Sequence, residues 1–473
     1  MMNDQSGKRI LKDSIFYIPA KFFPAITGLI AIPILTRVLG TEEYGIYSLM
    51  RTTILLLNTF SVVWLVNATV RFHSRAEVSG ESDEVNTVII ISLLVSIIIG
   101  GLSYFVIASY LFQDRLLVFI GLGLLMGLIF VTEAAGYLRA TQQSIAFSIF
   151  NSLRAAGGFG LALVFMWLTD FSLRGFFSGE ALFYLILIIS FIVATKIKVN
   201  FRFNKSLLKE MLRFGLPVAA TSVLALLLVS ADQYMITFFR GTVEVGLYAV
   251  PYTIADQAVR FIIQIMIFAG TPVIFRIFDR KGEMHALSLI VEVTKYFVVI
   301  VTPIIVLLKV FDVKILNLVA TPSYRETGIV MTFVAVGAFM HGITQLLNNI
   351  FLMKQKTRVI MQNFFFALLL NIIINLVLIP GWGYKGAAVA TLISYLFLML
   401  ITYFQARRVV RLEVPNKVIW SLLLSVSLIL FIIIAGYFIT DLVLYFTALI
   451  SIVIYVSVLV RIGIIKIDDL KRV

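Results

Sequence analysis

A chain of 473 residues that is 60% hydrophobic and only 14% charged, with a mean hydropathy of +1.02, has more apolar surface than a water-soluble core can hide. Its net charge of +14 is read as basic loops on the cytoplasmic side of a membrane rather than as a nucleic-acid footprint. The absence of cysteine excludes disulfides, thiolate metal sites and cysteine nucleophiles.

Runs of about 20 apolar residues recur from end to end, the signature of spanning helices. Fourteen spans are expected, near 14–36, 44–70, 85–112, 116–138, 145–168, 175–195 and 214–239, then 245–270, 287–308, 326–353, 358–380, 384–406, 418–439 and 442–460. The polar stretches around 71–84 and 196–213 are too short to fold alone. Lys8, Arg9 and Lys12 lead straight into the first span, with no cleavable signal expected. Loops after even-numbered spans, together with both termini, hold about 26 Lys and Arg; loops after odd-numbered spans hold about eight. Both termini are therefore expected on the cytoplasmic face of an inner membrane.

One phrase occurs twice. Residues 40–52 read GTEEYGIYSLMRT and residues 241–253 read GTVEVGLYAVPYT, matching at Gly40/Gly241, Thr41/Thr242, Glu43/Glu244, Gly45/Gly246, Tyr47/Tyr248 and Thr52/Thr253. The copies fall at the junctions of spans 1–2 and 7–8. An even offset of six helices preserves orientation, so the repeat is parallel, about an axis along the membrane normal. The expected architecture is all-α and polytopic, with two pseudo-symmetric six-helix lobes: residues 1–195 form spans 1–6, 196–213 a basic cytoplasmic linker, 214–407 spans 7–12, and 408–473 spans 13–14 with a tail. The linker, with Lys205, Lys209 and Arg213, reads as an amphipathic helix on the inner leaflet. Prolines at 19, 24, 33, 217, 251 and 272 have two readings, hinges or the ordinary proline content of spanning helices.

Charges inside spans are expensive and so are informative. Asp256 and Arg260 are four apart and Glu292 and Lys295 three apart, so both pairs can neutralise internally. Arg154 reads as a cation near a helix end that snorkels. Lys21 and Arg51 lack an acid three or four positions away, which predicts a polar cavity lined by unneutralised cations. Such a cavity suits an anion, phosphate above all. Arg260 would add to it. Glu133 and Glu180 are further intramembrane acids and candidate partners for these cations. Asp232, Asn371, Asn375 and Thr391 offer hard oxygen ligands that suit Na⁺ or a proton; the alternative is ordinary interhelical hydrogen bonding. His341 reads as a packing residue, and His73 and His285 as loop residues. No metal motif, P-loop or nucleophile–base arrangement is present, so no resident cofactor and no self-contained ATP-driven step are expected.

With these residues in view, the chain resembles the polysaccharide transporter branch of the multidrug/oligosaccharidyl-lipid/polysaccharide exporter superfamily, the Wzx-type flippases. The phrases that carry the likeness are Ile32-Pro33 through Arg37-Val38-Leu39-Gly40, Glu43-Tyr44-Gly45-Ile46-Tyr47, Phe214-Gly215-Leu216-Pro217, Asp232-Gln233-Tyr234, Val245-Gly246-Leu247-Tyr248, and Gly383-Tyr384-Lys385-Gly386-Ala387-Ala388 running on to Thr391. The resemblance implies a two-lobed, fourteen-helix flippase for undecaprenyl-pyrophosphate-linked oligosaccharide, working by alternating access, monomeric, among membrane lipids and polysaccharide biosynthesis machinery. It implies that Lys21, Arg51 and Arg260 hold the pyrophosphate, with Lys in place of an expected Arg at the first. It also implies coupling to Na⁺ or H⁺ at Asp232, Asn371, Asn375 and Thr391, with Asn375 where a second carboxylate is expected. A lipid II flippase and a multidrug or cation antiporter are alternatives within the superfamily. A membrane glycan polymerase or ligase is the rival from another class, disfavoured by the short outer connectors.

Overall fold

A computed structural model of the protein describes residues 23–24, 26–79, 82–170, 172–195, 197, 203–410 and 441–461, with a few positions between 420 and 434. Among these residues there is no β-strand. The helices are α1 (Ile26–Val38), α2 (Thr41–Ser79), α3 (Ser82–Leu111), α4 (Arg115–Ala140), α5 (Ser144–Leu168), α6 (Leu173–Thr195) and α7 (Lys205–Arg240). They continue with α8 (Thr242–Lys281), α9 (Glu283–Val310), the short α10 (Asp312–Val319), a 3₁₀ turn (Pro322–Thr327), α11 (Gly328–Met353), α12 (Thr357–Val409) and α13 (Asp441–Arg461). Ten of these segments are long and apolar enough to cross a membrane. Because α12 spans 53 residues and breaks at Gly383, it holds two crossings, expected spans 11 and 12. The protein is a multi-pass membrane protein.

Local chemistry sets the boundaries. Gly40 and Gly241, the first residues of the two repeat copies, each end a connector, and α2 and α8 start at the threonine that follows. Glu42 and Glu43 in the first turn of α2, and Glu244 in that of α8, face the positive end of the helix dipole. Asp114 caps α4, its carboxylate accepting from the Leu117 N–H at 3.2 Å.

Three expectations change. Residues 205–213 are not a separate surface helix but the first turns of α7, continuous with its apolar part. Helix α2 extends to Ser79, so His73 is a buried helical residue instead of a loop residue. His285 lies in the first turn of α9, with Nδ1 3.0 Å from the Lys281 carbonyl oxygen. Most of expected span 13, and residues 14–22 and 25 of expected span 1, fall outside the described residues.

The contacts divide the chain into two compact units, Met1–Ser230 and Ala231–Val473, with the boundary inside α7. In the first, α2 packs on α3 and α4, α4 on α6, and α5 on α6. Leu49, Met50 and Val62 of α2, Leu124, Leu125 and Ile129 of α4, and Phe176 and Phe177 of α6 form its core. Close helix approach depends on small residues. A side chain on Gly179 of α6 would meet the Leu161 carbonyl of α5 at 2.5 Å. In the second unit, α8, α9, α11 and α12 enclose Tyr248, Val259, Phe297, Ile305, Phe351 and Leu398, and α13 adds Tyr455 and Leu459 against Val299 of α9. Outward-facing Leu102, Val106, Val193 and Val377 are largely exposed, as suits a surface bathed in acyl chains.

Candidate functional site

The first repeat copy leads into α2, which carries Arg51 toward α6. There Arg51 Nη1 donates to both oxygens of Glu180, each at 2.6 Å, and the Tyr184 hydroxyl donates to Glu180 Oε1 at 2.8 Å. Tyr47, one turn before Arg51, interacts with both members of the pair. Its ring is held edge-on by Phe176 and stacked by Phe177, with centroids 5.6 and 5.8 Å away. Glu180 is buried, while the Arg51 side chain is 43% exposed. The expectation of an unneutralised cation at Arg51 is thereby corrected. Its counterion comes from a helix 129 residues away, beyond the reach of any helical-spacing rule. Only Nη1 is engaged by the carboxylate, so the fork geometry that arginine offers an oxyanion is not consumed by Glu180.

Arg154 also changes place. It lies well inside α5 rather than near an end, with Nε buried and without a hydrogen-bond partner, and it acts electrostatically on Tyr184. Lys21 lies outside the described residues.

In the second unit, Arg260 of α8 grips Asp256 with two hydrogen bonds, Nε to Oδ2 at 2.7 Å and Nη2 to Oδ1 at 2.8 Å. This is the internal pair its spacing allows, and the Arg260 side chain stays 34% exposed. Lys295 and Glu292 stand 3.9 Å apart, and the ammonium also sits 4.4 Å from the Tyr296 ring centroid. His341 is buried in α11, stacked on Tyr395 at 4.9 Å and edge-on to Phe364 at 6.0 Å, which is packing as expected.

Asp232, Asn371, Asn375 and Thr391 meet at one point. All four are essentially inaccessible, Asp232 being 0% exposed. Asp232 Oδ1 accepts from Asn375 Nδ2 at 2.6 Å, and Oδ2 accepts from the Thr391 hydroxyl and from the Tyr248 hydroxyl at 2.7 Å. Asn375 Nδ2 donates also to Asn371 Oδ1 at 3.0 Å. Tyr248, the repeat counterpart of Tyr47, is the member that sequence spacing missed, although its place in the duplicated phrase was a usable signal. Every donor to Asp232 is neutral.

One carboxylate, two amide groups and a hydroxyl are hard ligands, and one negative charge balances a monovalent ion or a proton. Asn375 Oδ1 and Asn371 Nδ2 are buried without partners. A half-turn of each amide about its terminal torsion would aim Asn375 Oδ1 at the carboxylate, where a cation could bridge them. The residues fit a monovalent ion. Among the described residues no group of three or more His, Cys, Asp or Glu is placed to hold a metal.

Comparison with known proteins agrees with this architecture. An uncharacterized membrane protein of Methanocaldococcus jannaschii is 26% identical over 268 residues, covering 55% of this chain and 52% of the relative, so the match spans about half of that protein's length. The solved lipid II flippase MurJ, in an inward closed conformation, superposes with a TM-score of 0.74 at 16% identity, over 95% of this chain and all of that one. An inward-facing multidrug resistance MATE family transporter of the MOP superfamily gives 0.65 at 16% identity, over 84% and 98%. A MOP superfamily transporter from Pyrococcus furiosus gives 0.57 at 15% identity, over 85% and 95%. At such identities these structures establish the fold. The family described as polysaccharide biosynthesis protein matches residues 10–278, more than half of the chain. On that match, the chain belongs to the polysaccharide biosynthesis protein family.

Proposed function

We propose that this protein is a flippase that moves undecaprenyl-pyrophosphate-linked oligosaccharide across the inner membrane, with both termini cytoplasmic. The family match and the MurJ-like fold support the class of activity. The observation that carries the anionic head group is Arg51: a cation on a spanning helix, backed by a buried carboxylate through one nitrogen, with 43% of its side chain accessible. A guanidinium held in place but not saturated is preorganised for a diphosphate. Arg260, similarly anchored and partly exposed, and Lys21 are further anion-binding cations in this reading. The polyprenyl tail stays in lipid while the head group crosses, because a bare phosphosugar does not enter hydrocarbon. A multidrug exporter has a related fold, but two partly exposed arginines on spanning helices favour an anion over a cationic drug.

Asp232 is the coupling site in this reading. Na⁺ or H⁺ enters as a transported ion, neutralising the carboxylate among Asn371, Asn375, Thr391 and Tyr248. Ion binding shifts conformation only through different affinities in the two states, and a deeply buried single carboxylate supplies such a difference. The direct test is translocation of a lipid-linked oligosaccharide in proteoliposomes. Wild-type protein is expected to move it without any sugar transfer, and Arg51→Ala and Arg260→Ala to lose most of that activity. Undiminished transport by both variants removes these residues from the mechanism, and sugar transfer by the wild type replaces the flippase reading with an enzymatic one.

A further inference from the structure

A second intramembrane acid lies in the first unit, away from Arg51 and absent from the reading above. Glu133 of α4 is 2% exposed. Its Oε1 accepts one hydrogen bond, from the Thr69 hydroxyl of α2 at 2.5 Å, and its Oε2 is buried with no hydrogen-bond partner. Among the described residues no ion pair reaches it, although Glu133 was a candidate counterion for the basic cluster; Arg51 pairs with Glu180 instead.

The helices around it are informative. On α2, His73 is one turn beyond Thr69; on α4, Tyr137 is one turn beyond Glu133; the two rings meet edge to face with centroids 5.0 Å apart. Helix α6 presents Phe191, packed on Phe130 and Tyr137 at 6.1 Å each. Of the titratable groups of α6, Tyr184 meets α4 at Gly127, six positions before Glu133, and Glu180 lies against Gly158 of α5. Arg154 of α5 acts on Tyr184. Helix α3 buries Asn86, Ser92 and Ser96 and carries Asp83 and Glu84 in its first turn. Arg71 and Arg75 of α2 and Arg139 of α4 mark the basic end of this bundle, with Arg71 over the Phe214 ring at 4.2 Å.

We infer that Glu133 is a proton-binding site of the first unit, carrying its proton on Oε2 and exchanging it toward the basic end past His73. An ionised carboxylate with one hydroxyl donor and one bare oxygen is not tolerated in apolar surroundings, and the group neutralises by taking up H⁺. His73, a group able to accept and pass a proton, lies one turn away in the direction of the nearest polar surface. The step balances: H⁺ from bulk water attaches to Oε2 to give the neutral acid, and on release the proton returns to water and leaves the carboxylate. This site does not depend on the flippase reading, since it needs no glycan.

The test is infrared spectroscopy of the purified full chain in liposomes, needing only protons and deuterons as probes. Wild type is expected to show a carboxylic-acid C=O band at neutral pH that is missing in Glu133→Gln and shifted in frequency by Thr69→Val, which removes its hydrogen bond. In D₂O the band is expected to move within minutes, and about tenfold or more slowly in His73→Phe, taking a 1.4 kcal/mol change in barrier as tenfold. A spectrum unchanged by Glu133→Gln shows that Glu133 is ionised and overturns the proposal. A band that never exchanges in D₂O marks a sealed structural acid and overturns it equally. Circular dichroism and gel filtration of each variant confirm that the spectra report folded protein.

Discussion

The two copies of one sequence phrase lead to two differently balanced buried carboxylates. In the first unit, Tyr47 stands beside Glu180, and the negative charge is met by a guanidinium. In the second unit, Tyr248 donates to Asp232, and every other donor is an amide or a hydroxyl. At the position of Arg51 the second copy has Tyr252, which brings no charge. A carboxylate already paired with arginine is a fixed element, whereas one cradled by neutral groups has an affinity for one mobile positive charge. The two phrases therefore share a tyrosine beside a buried carboxylate, while the carboxylates themselves come from different helices, Glu180 of α6 and Asp232 of α7.

The largest effect is expected on breaking the fixed pair. Arg51→Ala leaves Glu180 buried without a counterion, a change that costs about 3–5 kcal/mol in fully buried pairs and toward the low end here because the Arg51 side chain is only partly buried. Adding Glu180→Gln to Arg51→Ala is expected to restore thermal stability but not translocation. Recovery of both would make the pair purely structural and merge the two regions into one class.

Asp232→Asn comes next. The amide keeps the size of the side chain and removes its charge, so the protein is expected to fold while transport loses its dependence on a Na⁺ or proton gradient. Coupling free energies between sites typically correspond to about 5–150-fold. Flux measured with and without each gradient checks this, and a variant still driven by either gradient would place coupling elsewhere.

Much of this was legible in the residues. Hydropathy alone indicates an all-helical membrane protein, because twenty apolar residues in a row have few other fates. The Asp256–Arg260 pair follows from its spacing, and the convergence of Asp232, Asn371, Asn375 and Thr391 followed from the resemblance. The counterion of Arg51 was not legible, because α2 meets α6 through tertiary packing and no local period records that. The same limit hid Tyr184, and it placed His73 in a loop, since the charged stretch after Val70 reads as polar although α2 continues through it. Residues 196–213 were read as a linker with an amphipathic surface helix, although 205–213 belong to α7, for a related reason: a basic run in sequence does not show whether the backbone breaks.

A smaller effect is expected where the second repeat copy anchors the break in α12. Gly383 has φ 54° and ψ −138°, a conformation open to glycine alone, and a Cβ there would strike the Glu244 carboxylate. That carboxylate accepts from the Tyr384 N–H at 2.9 Å, and Arg240 donates to the Gly381 carbonyl at 3.2 Å. Glu43, at the matching position of the first copy, is exposed instead. Gly383→Ala is expected to lower stability by about 1–3 kcal/mol, read as Tm in detergent. Gly40→Ala, with open space around it, is expected to be much milder.

The smallest effect concerns a polar tie that the first unit makes at a helix start. Arg174 Nε donates to Asp114 Oδ2 at 2.7 Å, and this bond chiefly holds the Asp114 carboxyl below the usual carboxylate range, partly opposed by its slight burial. With the folded value depressed, the stability from this group is fully present above the unfolded carboxylate range, about pH 4, and is lost as pH falls through the lower folded value. Neutral-pH function should therefore not sense it. Asp114 has a second role as the cap of α4, and substitution separates the two. Asparagine keeps a capping oxygen and loses the ion pair, so Asp114→Asn is expected to leave Tm nearly unchanged at pH 7 and to flatten its decline in acid. Alanine loses both, and Asp114→Ala is expected to cost about 0.5–2 kcal/mol at any pH. Equal losses in the two variants would assign the tie to the exposed ion pair, a class of interaction that solvent normally screens to little.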